Sequence, residues 1–119
     1  MYIPVSMKSD LPLSPAVFNI LLALADDEKH GYAIMQEIEE HTAGAMKMGP
    51  GTLYGSLDRM QTAGLVVEVH KESPTDRKRR YYRLTDLGLR VLQAETERLR
   101  LAVNTARKKG VLRPRETNV

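Results

Sequence analysis

Five side chains in the middle of this sequence have the types and the spacing of a helix that reads a nucleic acid. They are Thr52, Tyr54, Gly55, Ser56 and Arg59. A helix in the major groove needs small or polar side chains near its amino end, where the base edges come closest. Arg59 could donate to a guanine edge or to a phosphate, and Tyr54 could donate its hydroxyl to a phosphate. Two alternatives stay open: an ion pair of Arg59 with Asp58, and partial burial of Tyr54 in the core.

Positive charge is concentrated in two other segments. Residues 71–83 contain six Lys or Arg against two Asp or Glu, and residues 107–119 contain five against one, whereas residues 1–70 contain four against nine. A localised basic patch attracts a polyanion more strongly than dispersed charge does. Arg77, Lys78, Arg79 and Arg80 of the first segment are therefore candidate phosphate contacts. Tyr32, at the start of the second predicted helix, and Lys47, just before the third, could also hold backbone phosphates. A solvated loop is the alternative interpretation of either basic run.

Three short helices are predicted ahead of the basic segment. Ser14 and Pro15 are typical of a helix start, and apolar residues then recur at helical spacing. A second helix begins at His30. A third runs from residue 51 or 52 to Ala63, and Gly64 supplies its left-handed cap. The buried stripe of the third helix is predicted to be Leu53, Leu57 and Met60.

Two strands are predicted after the third helix. Residues 65–70 alternate with the period of a half-buried strand, residues 73–76 have turn chemistry, and residues 79–84 return as a second strand. Three helices followed by a hairpin with a charged tip indicate a winged helix-turn-helix, in a fold that is mainly α with a small β-hairpin (α+β). We expect residues 1–13 to form an N-terminal arm and residues 14–84 to form the DNA-binding domain.

A long helix is predicted over residues 85–109, followed by a basic flexible tail over residues 110–119. Thr85 is its cap, and a helix of this length spans roughly 36 Å. A domain of about seventy residues cannot cover that length, so the outer apolar stripe needs a second surface. We expect a dimer interface made by Val91, Leu92, Leu99, Ala102, Val103 and Ala106. The alternative is a helix that folds back on its own domain.

Several classes of protein are disfavoured by composition. The sequence has no cysteine, which excludes disulfides and thiolate metal sites. Its longest mostly apolar run, residues 16–25, is too short for a bilayer, and no signal peptide is evident, so we expect a cytoplasmic protein. We expect that the protein is not an enzyme and binds no cofactor or metal. The histidines lie in separate predicted elements, and the glycines lack the preceding strand and the lysine of a phosphate-binding loop.

Several motifs together resemble the PadR-like transcriptional regulators, in the short form with a single C-terminal helix. The matching segments are His30-Gly31-Tyr32, Pro50-Gly51-Thr52-Leu53-Tyr54 with Leu57 and Met60, Gly64-Leu65-Val66, and Arg80-Tyr81-Tyr82-Arg83-Leu84-Thr85 with Gly88. The resemblance implies a dimeric DNA-binding protein, usually a repressor, whose C-terminal helices pack against the partner. It also implies a small-molecule effector, but this chain has no Trp and one Phe, so no effector site is carried over.

The residues and the resemblance together predict a homodimeric winged-helix transcription factor that represses by occupying a promoter. Its partners would be double-stranded DNA with an inverted-repeat operator, a second copy of itself and a small-molecule effector; we expect no membrane partner. The alternative is a winged helix used as a protein-interaction module, which should carry an apolar patch in place of the basic wing. A small hydrolase would need paired titratable groups, and the sequence gives them no support.

Overall fold

Four helices and a three-stranded sheet make up the part of the chain that the computed structural model describes, residues 11–71 and 79–113. The helices are α1 (Pro15–Ala23), α2 (Gly31–His41), α3 (Pro50–Thr62) and α4 (Asp86–Lys108). The strands are β1 (Lys29–His30), β2 (Val66–Lys71) and β3 (Arg79–Leu84). This α+β architecture confirms the predicted fold class. Arg77 and Lys78, predicted at the tip of the wing, lie outside the described residues.

The sheet is antiparallel with the order β1-β3-β2. Val66 pairs with Leu84 at one end of the hairpin and Lys71 pairs with Arg79 at the other. Strand β1 was not predicted, because two residues are too few to show an alternating pattern. It forms because Lys29 and His30, which immediately precede α2, pair with the edge of β3 opposite β2.

The core lies where α1, α2 and α3 meet the sheet. Tyr82 of β3 and Ile20 of α1 are fully buried there. The predicted stripe of α3 is confirmed, since Leu53 and Leu57 are 0% exposed and Met60 is 2% exposed. Helix α3 ends at Thr62 with Ala63 as its cap, and Gly64 follows with a φ of +80°, in the left-handed region that glycine adopts without strain. The buried stripe therefore fixes which face of α3 points outward.

Helix α4 is tied to the domain at its amino end. The Thr85 hydroxyl accepts the Gly88 N–H at 3.0 Å and donates to the Gly64 carbonyl at 2.6 Å. Val91 and Leu92 are only 4% and 5% exposed because they pack into the core of their own domain. The prediction that these two residues form a dimer interface was therefore wrong. Apolar side chains that the domain leaves uncovered lie at the amino end of α4, at Leu87 and Leu89, and again in its outer half, at Leu101 and Val103.

The chain ahead of α1 also contacts the domain. Leu13 packs against the core, and its N–H donates to the Glu95 carboxylate of α4 at 2.9 Å. Residues 1–10 of the predicted arm and residues 114–119 of the predicted tail lie outside the described residues, so those domain boundaries stay predictions. Among the helices described, none is long and apolar enough to cross a membrane.

Candidate nucleic-acid interface

The first turn of α3 is open to solvent. Thr52 is exposed, and a Cβ added at Gly49 or Gly51 would meet no atom within 4 Å. The backbone of this turn can therefore approach another molecule closely. Gly55 is half-buried one turn further on, and Ser56 is only 1% exposed. The expectation that Ser56 faces a groove was wrong, because the small side chain lets α3 pack closely on the core.

Arg59 lies on the surface of α3 above Ser56. Its Nη2 donates to the Ser56 hydroxyl at 3.3 Å, so the buried serine orients an exposed cation. In residues 11–71 and 79–113, no carboxylate lies within ion-pair distance of Arg59, and the alternative pairing with Asp58 is not formed. The guanidinium keeps its remaining donors for an external acceptor. The role of Ser56 as an acceptor was missed, although its i, i+3 spacing to Arg59 could have indicated it.

Tyr54 is half-buried and packs against the core. A Cβ added at Gly31 would lie 2.3 Å from the Tyr54 hydroxyl oxygen, so the ring end sits directly against the start of α2. Core packing, the alternative left open for Tyr54, is the arrangement that the structure contains. The side chain joins α3 to α2 and offers little of its surface to a phosphate.

Arg80 lies between the wing and α3. Its guanidinium is 5.6 Å from the centre of the Tyr54 ring and 5.8 Å from that of Tyr82. Its Nη2 donates to Glu68 Oε1 at 2.8 Å and its Nε donates to the same oxygen at 3.1 Å. This pairing holds the pKa of Glu68 below its ordinary value, and it raises the pKa of Arg80. Arg80 is thus a structural link as well as a candidate phosphate contact.

The environment of β3 also affects the neighbouring tyrosine and lysine. Burial raises the pKa of Tyr82 to about 12. Lys71 pairs with Glu28, which raises its pKa, and its ammonium lies 4.9 Å from the centre of the Tyr81 ring. For Arg79 the structure describes the backbone, which pairs with Lys71. The predicted row of wing cations is therefore described at Arg80 alone.

Tyr32 and Lys47 line a common cleft. Tyr32, at the start of α2, is 62% exposed, and its hydroxyl accepts the Gln36 side-chain N–H at 3.3 Å. Lys47, just ahead of α3, is also exposed, and its Nζ lies 3.7 Å from Glu39 Oε1. The cleft between them has a volume of about 220 Å³. The structure brings these two predicted phosphate contacts together.

Each of the three histidines has a different partner. His41 Nε2 is 2.7 Å from Asn19 Oδ1, and His70 Nε2 is 3.0 Å from Glu68 Oε2. His30 accepts the Ala33 N–H at 3.3 Å as the cap of α2. Within the described part of the chain, no three His, Cys, Asp or Glu side chains are grouped so that they could hold a metal ion.

The helix-turn-helix of α2 and α3, followed by the β2–β3 wing, defines a protein of the winged-helix class. The chain matches the model of the transcriptional regulator PadR-like family over residues 20–94 and belongs to that family. Among curated relatives, a transcriptional regulator of Mycobacterium tuberculosis is 36% identical over 81 residues, which cover 68% of this chain and 72% of that protein. The chain spans 63% of an uncharacterised relative from Lysinibacillus sphaericus and 20% of one from a Streptomyces fradiae transposon.

Solved structures share the fold. A PadR family regulator from Clostridium difficile superposes with a TM-score of 0.71 at 23% identity, over 80% of this chain and 97% of that chain. A PadR-like regulator from Bacillus cereus gives 0.69 at 24% identity, over 92% and 100%. Bacillus subtilis PadR, whose crystal structure is a complex with operator DNA, gives 0.61 at 19% identity, over 90% of this chain and 52% of that chain.

Proposed function

We propose that this protein is a sequence-specific DNA-binding regulator that acts as a homodimeric repressor in the cytoplasm. The observation that carries the proposal is the open first turn of α3, followed about two turns later by an arginine without a carboxylate partner among the described residues. A small exposed helix start admits base edges, and a guanidinium behind it can read guanine or hold a phosphate. The operator complex of Bacillus subtilis PadR, a protein of the same fold, supports duplex DNA as the ligand.

The wing and the α2 cleft would hold the DNA backbone. Arg80 lies beside α3, and in the sequence it is the last of four consecutive basic residues, 77–80. Tyr32 and Lys47 lie at the amino ends of α2 and α3, where side-chain hydroxyls and ammonium groups commonly contact phosphates. These contacts would fix the register of the protein on the duplex, and α3 would supply the sequence preference.

Dimerisation would use the outer half of α4. Val103 is 38% exposed and Ala102 is exposed, while Leu99 and Ala106 are half-buried on the same helix. A two-fold axis through this surface predicts an inverted-repeat operator whose half-sites are about one helical turn, or a multiple of it, apart. Repression would follow from promoter occupancy, and a small-molecule effector would act by changing the relative positions of the two winged domains.

Selection of binding sites from random duplexes tests this function directly. We expect an inverted repeat to be recovered, and a reporter downstream of that repeat to be repressed. For about six phosphate contacts, the logarithm of the binding constant should fall with the logarithm of salt concentration with a slope near −5. Absence of binding to any duplex, or binding that is insensitive to salt, would favour the protein-interaction module instead.

A further inference from the structure

A carboxylate is buried where α4 leaves the winged domain. Glu95 is 2% exposed, and with Ser56 it makes up the buried polar side chains of the described residues. It comes directly after Ala94, which is 1% exposed, whereas the side chains that follow it on α4 are half-buried or exposed. Glu95 is therefore the last buried residue of this helix.

Both oxygens of Glu95 have partners. Oε2 accepts the Leu13 N–H at 2.9 Å, and Arg98 donates from Nε to Oε1 at 2.5 Å and from Nη2 to Oε2 at 3.1 Å. A buried charge is tolerated only when it is paired and hydrogen-bonded in this way. The Arg98 hydrogen bonds and the Leu13 N–H hold the pKa of Glu95 below its ordinary value. The group is therefore ionised at neutral pH.

Leu13 connects this carboxylate to the end of α3. It immediately precedes Ser14, the cap of α1, and lines one wall of a cavity of about 280 Å³. The opposite wall includes Arg59 and Met60 of α3. Helices α3 and α4 each pack on α1, so α1 and the residues just before it form the connection between them. Glu95 fixes α4 to that connection.

We propose that Glu95 is a positioning residue that sets the direction of α4 relative to α3, and so the separation of the two α3 helices in the dimer. This inference rests on the proposed function as a DNA-binding dimer. The part of α4 beyond Glu95 is about 20 Å long. A rotation of about 10° at Glu95 would move its far end by about 3.5 Å, close to one base-pair step. A small change of angle is thus enough to mismatch two half-sites.

The chain offers a matched control. Glu97 pairs with Arg100 at the same i, i+3 spacing on the same helix, but this pair is exposed and does not reach the α1 segment. The variants Glu95→Gln and Glu97→Gln remove one negative charge each and keep the side-chain shape. Arg98→Ala removes the half-exposed partner of Glu95 and keeps the hydrogen bond to Leu13.

The first measurement compares duplexes: a single half-site, the selected operator, and operators whose spacer is one or two base pairs longer or shorter. We expect Glu95→Gln to keep its half-site affinity, to lose about fivefold to tenfold on the selected operator, and to discriminate less among spacers. Glu97→Gln should match the wild type, and Arg98→Ala should fall between. An unchanged spacer profile in Glu95→Gln would overturn the inference, as would an equal loss on the half-site.

The second measurement needs no DNA, which separates this inference from the proposed function. Because the chain has no cysteine, the substitution Thr62→Cys provides a single thiol at the exposed end of each α3, to which one spin label is attached. The distance distribution between the two labels should be narrow in the wild type and in Glu97→Gln and broad in Glu95→Gln. A distribution equally narrow in all three, or no distance between labels because no dimer forms, would overturn the positioning role. If the wild-type protein binds no duplex while the label distances behave as expected, the proposed function is overturned and the positioning role is not.

Discussion

The Tyr54 side chain is shared by three parts of the molecule. It belongs to α3, its hydroxyl end lies against Gly31 at the start of α2, and the Arg80 guanidinium of the wing lies above its ring. Aromatic rings that carry a cation on one face and pack on backbone with another restrict the positions of both neighbours. Tyr54 therefore fixes the position of α3 with respect to α2 and the wing. This structural role constrains the residue at position 54 more than a single phosphate contact would.

Gly31→Ala should test this packing. The new Cβ would lie 2.3 Å from the Tyr54 hydroxyl oxygen and 2.8 Å from Cζ, so the ring must move. We expect the free energy of unfolding in urea to fall by about 1–3 kcal/mol. The double variant Gly31→Ala/Tyr54→Phe, which lacks the closest atom, should recover part of the loss. A Gly31→Ala protein as stable as the wild type would contradict the packing described.

Arg59→Ala should weaken operator binding. If the guanidinium reads a base, we expect a loss of roughly 1–3 kcal/mol and a relaxed preference at one operator position. An equal loss on all sequences would instead identify a phosphate contact. Arg90→Ala, which removes an exposed cation from the amino half of α4, is the control for total charge. Fluorescence anisotropy on matched and substituted duplexes separates these outcomes, and equal losses for both variants would argue against a specific role of Arg59.

The joint between the wing and α4 depends on Gly88. A Cβ at this position would lie 2.0 Å from the Leu65 carbonyl oxygen, which is backbone and cannot swing aside. Helix propensity alone would make Gly→Ala stabilising by about 0.5–1 kcal/mol. We expect the steric clash with the Leu65 carbonyl to outweigh the gain in helix propensity at Gly88. Gly88→Ala should therefore lower the melting temperature, while Gly55→Ala raises it. Gly55 is the matched control, because the nearest atom to its added Cβ is 3.6 Å away. A stabilised Gly88→Ala would show that α4 can shift.

The buried carboxylate of α4 makes part of the stability depend on pH. The folded-state pKa of Glu95 is below its ordinary value of 4.5, mainly because Arg98 donates to it. The folded state therefore holds the ionised form more strongly than the unfolded chain does. This contribution is complete above the ordinary pKa and is lost as the pH falls through the folded-state pKa. Urea unfolding of Glu95→Gln should show a shallower loss of stability below about pH 4.5 than the wild type, and a parallel decline would contradict the assignment.

Local patterns were enough to predict the helices, the hairpin and the buried stripe of α3, because helical spacing and helix caps depend on residues close together in the sequence. The same patterns could not say what covers an apolar face. Val91 and Leu92 belong to the stripe that extends to Val103, yet they pack on their own domain. Ser56 was predicted to face a groove because it is small and polar, although a small side chain equally suits a close helix contact. The strand β1 depends on pairing with β3, which lies far along the chain, and the two residues of β1 are too few to show a pattern of their own.

The outer half of α4 carries apolar side chains that the described part of the winged domain leaves uncovered. Leu101 and Val103 are 56% and 38% exposed, and Leu112 beyond the helix is 42% exposed. The helical repeat of 100° per residue places Val103 on the same face as Leu99 and Ala106, and places Leu101 on the opposite face. Exposed apolar side chains on one face of a helix are typical of a surface that pairs with another chain. The proposed dimer would use the face that contains Val103.

Val103→Glu tests that choice of face, with Leu101→Glu as the matched control. In a two-fold dimer each substitution occurs twice at the interface, and a carboxylate buried without a partner is strongly unfavourable. We expect the dissociation constant from sedimentation equilibrium to rise at least about a hundredfold for Val103→Glu and to change little for Leu101→Glu. The thermal stability of each winged domain should stay near that of the wild type, because both residues lie beyond the core contacts of α4. If both variants weaken the dimer equally, the interface does not lie on the Val103 face. If the Val103→Glu protein stays dimeric, this face of α4 is not part of the dimer interface.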